Sequence, residues 1–123
     1  MQMEIRMARG DRKSKLFQIL QPDGQGGTAP CTDPFDEIYF TVKKSYYDDE
    51  YNLQKRLSDG GITYLENGIY KVVILPTDTD PLGFGEYDFD IEVERNGEIK
   101  QTFTGKLILT KEVTYAGNEV VRA

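Results

Sequence analysis

The residues best suited to chemistry in this sequence are two acidic clusters, Asp48-Asp49-Glu50 and Asp78 with Asp80. Carboxylate oxygens are what Ca²⁺ collects, roughly six to eight at a time. The spacing of an EF-hand loop is absent, and Asp is an ordinary turn residue, so solvated turn carboxylates account for both clusters. A paired-carboxylate hydrolase needs two such groups converging in a cleft with one of them desolvated, which nothing in the linear order indicates. The chain has no His and a single cysteine, Cys31, which excludes a Ser-His-Asp triad, a Cys-His pair, a His/Cys zinc cage and an internal disulfide. No residue is therefore assigned a catalytic, cofactor-binding or metal-ligating role, and no enzymatic activity is expected.

Three further features fall short of a site. Arg9-Gly10-Asp11 spells a tripeptide that some adhesion receptors bind, but three common residues recur by chance, and a strand end explains them. Tyr39, Tyr46, Tyr47, Tyr51 and Tyr64 supply either an exposed aromatic patch of the kind that anchors interfaces or packing on a sheet. Cys31, beside Pro30 in a loop-like stretch, fits a reducing compartment and receives no role.

Charge narrows the partners. Fifteen Lys and Arg against 21 Asp and Glu give a net charge of −6, the wrong sign for neutralising phosphates, so nucleic acid is not an expected partner. No apolar run approaches the roughly 18 to 20 residues that span a bilayer, and the N-terminus lacks a signal peptide's apolar stretch. Synthesis in a cytoplasm without membrane insertion is expected.

The elements that must carry these residues read as strands. Met3, Ile5 and Met7 alternate with Glu4 and Arg6, and the pattern ends near Gly10. A second strand over Leu16 to Leu20 leads into a long Gly- and Pro-rich loop, Pro22 to Pro34. Ile38, Phe40 and Val42 share one face of a third strand. Leu53 to Leu57 reads equally as a strand or as part of a short helix, because Asp48-Asp49-Glu50 precedes Lys55-Arg56 in the order a helix dipole favours. Ile62 to Leu65 and Ile69 to Leu75 flank Asn67-Gly68 as a hairpin closed by Pro76, after which residues 77–81 turn the chain. Tyr87, Phe89, Ile91 and Val93 alternate without exception with carboxylates, an apolar face behind an anionic one that Lys100 and Lys106 on the next strand could offset.

A register follows from parity. A two-residue Asn96-Gly97 turn sets Val93 opposite Lys100, whereas a three-residue Arg95-Asn96-Gly97 loop pairs Glu94 with Glu98, Val93 with Ile99, Ile91 with Gln101 and Phe89 with Phe103. The second choice makes the apolar faces coincide and places Gly97 at positive φ. The fold class expected is all-β, an antiparallel immunoglobulin-like β-sandwich with at most one short helix, barrel closure being the alternative. The faces of Ile38-Phe40-Val42, Tyr87-Phe89-Ile91-Val93 and Phe103-Leu107-Leu109 should then share one core.

Several of these pieces recur together in a known order. Arg9-Gly10-Asp11 before a strand is followed by Phe40-Thr41-Val42-Lys43-Lys44, then by Gln54-Lys55 leading to Asp59-Gly60-Gly61-Ile62. Leu75-Pro76-Thr77-Asp78-Thr79, Gly85 to Val93, Thr104-Gly105-Lys106-Leu107 and Lys111-Glu112-Val113-Thr114 complete the series. The chain thus resembles the immunoglobulin-like domain of phage and prophage tail proteins, as found at the N-terminus of phage baseplate upper proteins, from about Met3 to Thr114. The resemblance implies a domain over residues 1–114 and a tail over 115–123. It also implies a strand across Leu53 to Leu57 and a non-catalytic structural role in the virion. The partners implied are other tail or baseplate proteins or copies of the chain itself, so homo-oligomers are among the expected assemblies. The Pro22 to Pro34 loop is longer than the resemblance implies, and no receptor-binding or coiled-coil segment follows Val113-Thr114. A free-standing β-sandwich binding domain, such as a cell-surface or carbohydrate adhesin, is the alternative.

Overall fold

The computed structural model describes residues Met3 to Lys111, so the expected boundary after Thr114 lies outside the described residues. The strands are β1 (Met3–Ala8), β2 (Lys13–Gln18), β3 (Leu20–Pro22), β4 (Thr28–Pro30), β5 (Glu37–Lys43) and β6 (Leu53–Arg56). They continue as β7 (Ile62–Glu66), β8 (Ile69–Ile74), β9 (Gly85–Arg95) and β10 (Glu98–Thr110), with one helical turn, α1 (Pro76–Thr79), before β9. The chain is mostly β, as expected, and Leu53 to Arg56 is a strand. No helix among the described residues is long and apolar enough to cross a membrane.

Two sheets carry the fold. One runs β1-β10-β9-β5-β6, the other β2-β8-β7. Period-two alternation decides what each buries: Ile38, Phe40 and Val42 of β5 are sealed off from solvent, as are Tyr87, Phe89, Ile91 and Val93 of β9 and Leu107 and Leu109 of β10. Phe103 is partly buried against them. Ile62, Tyr70, Val72 and Ile74 from the smaller sheet join the same apolar cluster, so both sheets feed one core. Phe40 and Phe89 meet at its centre with ring centroids 5.0 Å apart.

Three expectations require correction. The larger sheet is mixed, because β1 lies parallel to β10, with Met3 opposite Gly105 and Met7 opposite Leu109. The tight turn after Ala8 sends the chain from one sheet to the other, so β1 is left alongside the last strand rather than in a hairpin with β2. The expected strand over Leu16 to Leu20 is split: β2 ends at Gln18 and Leu20 begins β3, which pairs antiparallel with β4, so the loop expected from Pro22 to Pro34 carries the second half of a small ribbon. The Asp23 carboxylate ties its tip, accepting the N–H groups of Gln25 (2.7 Å) and Gly27 (3.1 Å). Those two bonds hold the Asp23 carboxyl below the usual carboxylate range.

The third correction concerns the register of the β9–β10 hairpin. Asn96 (φ 57°) and Gly97 (φ 81°) form a two-residue turn with both residues left-handed, the conformation that Asn-Gly favours. Arg95 stands opposite Glu98 and Glu94 opposite Ile99. The ladder then slips by one residue, so Val93 faces Gln101, Ile91 faces Phe103 and Phe89 faces Gly105. Neither simple loop describes this. The parity that brings the apolar faces together comes from a bulge at Lys100, not from a longer loop, and Gly97 has the positive φ expected of it. The β7–β8 hairpin repeats the device. Its Asn67-Gly68 turn (φ 51° and 74°) sets Glu66 opposite Ile69, and a slip at Leu65 then brings Tyr64 opposite Tyr70.

Candidate interaction surface

The loop joining β5 to β6, residues 44–52, presents Tyr46, Tyr47 and Tyr51 at the surface, with Tyr47 95% and Tyr51 54% exposed. Its base is pinned. The Tyr46 N–H donates to Asp88 Oδ2 (3.1 Å), and the Tyr46 hydroxyl lies 3.2 Å from the Phe89 carbonyl and 3.3 Å from that of Gly105. Lys44 Nζ donates to the Glu86 carbonyl (3.1 Å) and sits over the Tyr87 ring, and Lys43 Nζ donates to the Asp48 carbonyl (2.8 Å). Asp48 returns a bond by accepting the Ser45 N–H at 3.2 Å. A tethered base and projecting rings suit recognition, because large, stiff aromatic side chains add contact area at low entropic cost.

Beneath the loop, the anionic face of β9 is not uniform. Asp88 is buried and pairs with Lys106 Nζ at 2.6 Å, while Lys100 instead reaches Glu98 on its own strand at 3.3 Å. The hydrogen bond to Asp88 pushes the Lys106 ammonium above its ordinary range. Burial raises the Asp90 carboxyl, and the neighbouring Glu92 adds to the effect, with Lys43 opposing both. Asp88 and Asp90 line one hollow with Thr41, Lys43, Tyr46 and Phe89, and its volume of about 60 Å³ suits water rather than a substrate.

The other anticipated residues stand apart from this loop. Asp78 accepts the Leu75 N–H at 2.7 Å and pairs with Lys55 at 2.7 Å, so its carboxylate is engaged at the start of α1. Among the described residues no group of three or more His, Cys, Asp or Glu is placed to hold a metal ion. The Arg9-Gly10-Asp11 tripeptide forms the β1–β2 turn: Arg9 stacks on Phe84 at 4.5 Å, Gly10 donates its N–H to Thr79 Oγ1 (2.8 Å) and Asp11 donates its N–H to the Ala8 carbonyl (3.1 Å). Tyr39 lies under the Arg56 guanidinium on the sheet, and Tyr64 packs edge-on against Tyr70, so the tyrosines divide between the loop and the sheets. Cys31 is buried just after β4, donating its N–H to the Ile19 carbonyl at 2.8 Å.

One feature gave no sequence signal. Thr32, Pro34, Phe35, Leu57, Tyr64 and Tyr70 line an open, largely apolar cleft of about 200 Å³. Arg95 covers the far side of Phe35 at 4.3 Å and donates to the Pro34 and Asp33 carbonyls, which fixes the cleft wall. Its lining comes from separate segments that only the folded topology brings together. No protein-family model matches the chain, and no curated protein matches it.

Proposed function

We propose that the chain is a non-catalytic interaction module built as an immunoglobulin-like β-sandwich, acting as a phage or prophage tail or baseplate component. The observation that carries the fold is strand order. β2-β8-β7 follows the B-E-D sequence of one immunoglobulin sheet, and β10-β9-β5-β6 follows G-F-C-C′ of the other, with β1 added along G. Tyr87, near the start of β9, supports the same reading, since its hydroxyl donates to the Gly83 carbonyl at 2.9 Å as in a tyrosine corner.

Such sandwiches host unrelated functions, so the role rests on the surface and on the resemblance to tail proteins. A pinned, tyrosine-bearing acidic loop suits protein contact, and the small hollow below it leaves no room for a substrate. The partners proposed are other tail or baseplate proteins or further copies of the chain, in the virion. A second reading, a carbohydrate or cell-surface adhesin, is favoured by the aromatic cleft of Phe35, Tyr64 and Tyr70. Cross-linking followed by mass spectrometry on particles purified after prophage induction tests the first reading. Capture against itself or other tail proteins supports it; absence from particles together with display on the cell surface overturns it in favour of the adhesin.

A further inference from the structure

We infer that the outer edge of β1 is a self-association site at which a second copy of the chain adds strand to strand, antiparallel and centred on Ile5. The inference rests on the interaction-module reading for its biological use but on β1 alone for its geometry. Among the described residues no strand pairs with this edge. In a parallel ladder alternate residues bond the neighbour; Arg9 donates its N–H to the Thr110 carbonyl, so the odd-numbered residues of β1 face β10. Glu4 and Arg6 therefore present backbone N–H and C=O to the open side.

The other edges of the two larger sheets bear like charges, are short or are broken, whereas β1 carries one charge of each sign, Glu4 and Arg6. β2 bears Lys13 and Lys15, β6 is four residues long and bears Lys55 and Arg56, and β7 is broken by its slip at Leu65. β1 runs six residues in unbroken register with no Lys, Pro or bulge.

Its sequence is self-complementary in one register. Pairing Ile5 with Ile5 of a second copy sets Glu4 opposite the second Arg6 and Arg6 opposite the second Glu4, on the outer face where both side chains are exposed. Each of these pairs exchanges backbone hydrogen bonds, because both residues point outward. The neighbouring allowed registers place Arg6 against Arg6 or Glu4 against Glu4, so charge selects between them. On the inner face Met3 meets Met7 of the second copy, and Met3 already rims an apolar hollow of about 230 Å³ with Phe17, Ile91 and Phe103. The contact is isologous and closes on itself as a two-fold dimer.

The test uses the full chain and two charge reversals, Arg6→Glu and Glu4→Arg, in sedimentation velocity over a concentration series. Wild type should dimerise, each variant alone should associate at least about tenfold more weakly, and an equimolar mixture of the two should recover wild-type affinity. Recovery on mixing cannot come from the Glu4–Arg6 pair within one strand, which stays like-charged in both variants. Thermal melts of each variant show that it is folded. Amide exchange at Glu4 and Arg6 should slow as wild-type concentration rises. A monomer up to about 1 mM, variants that associate like wild type, no recovery on mixing, or exchange protection independent of concentration each overturn the inference. None of these outcomes bears on particle composition, so failure here is distinct from failure of the tail reading.

Discussion

Gly68→Ala and Gly97→Ala make the same chemical change in the same kind of turn, yet they should differ severalfold in cost. Both glycines follow Asn in two-residue hairpin turns and hold similar left-handed φ, 74° and 81°. A Cβ on Gly97 meets nothing within 4 Å, so only backbone strain remains, about 1 kcal/mol after the entropy removed from the unfolded chain is set against it. A Cβ on Gly68 meets the carbonyl oxygens of Cys31 and Ile19 at 2.9 Å and the Cys31 nitrogen at 3.1 Å. Those atoms form the root of the β3–β4 ribbon, whose Ile19 N–H donates to the Gly68 carbonyl at 2.9 Å, and backbone cannot rotate aside as a side chain can. Overpacking adds roughly 1–3 kcal/mol, for a total of about 2–4 kcal/mol. Urea unfolding measures both. With an m value of about 2 kcal/mol/M, Gly97→Ala should lower the midpoint by about 0.5 M and Gly68→Ala by about 1–2 M at unchanged m. Equal shifts would refute the claim that the close approach at Gly68, rather than its φ, sets the cost.

Tyr87→Phe should cost about 1 kcal/mol in the same assay, through loss of the hydroxyl bond to the Gly83 carbonyl, and an unchanged midpoint would count against a tyrosine corner. Glu37 and Asp90 should give pH dependences of opposite sign. Burial raises the Glu37 carboxyl, but bonds from Ser58 and Ile38 and the charge of Arg56 outweigh it and leave the group lowered. Its stabilisation is present above the unfolded pKa and lost as pH falls through the folded one, so Glu37→Gln should destabilise at pH 7 and converge with wild type in acid. Asp90 is raised, so ionising it opposes folding, increasingly as pH climbs from its unfolded to its folded pKa. Asp90→Asn should therefore be stabilising at pH 7, with the gain vanishing at low pH; melting temperatures across a pH series check both substitutions.

Alternation revealed most strands and the apolar face of β9, because a half-buried strand writes its burial every second residue. The Asn67-Gly68 turn was legible, whereas the Asn96-Gly97 turn was read as part of a three-residue loop. Parity located the coincidence of the β9 and β10 faces but could not distinguish a longer loop from a short loop plus bulge, since each adds one residue. The parallel placement of β1 was hidden because Met3, Ile5 and Met7 alternate identically whichever neighbour they bond. The candidate surface was legible in part. The tyrosines of residues 46–51 stood out by type, but Asp88 looked like any other carboxylate on its face until Lys106 and the Tyr46 N–H came to lie against it. The cleft of Phe35, Tyr64 and Tyr70 left no trace, because its members share no local spacing.

The pairing of a short turn with a nearby bulge, present in both Asn-Gly hairpins, constrains how this sequence can drift. Lys100 cannot simply be deleted: without it every residue of one arm beyond the slip exchanges inside for outside. A relative lacking the bulge must also change its loop by one residue, so the two alterations should arise as compensating gaps a few positions apart. Aligned without gaps, such relatives would agree in the body of the hairpin and disagree only across residues 96–100, where an apparent loss of similarity would mark a conserved register.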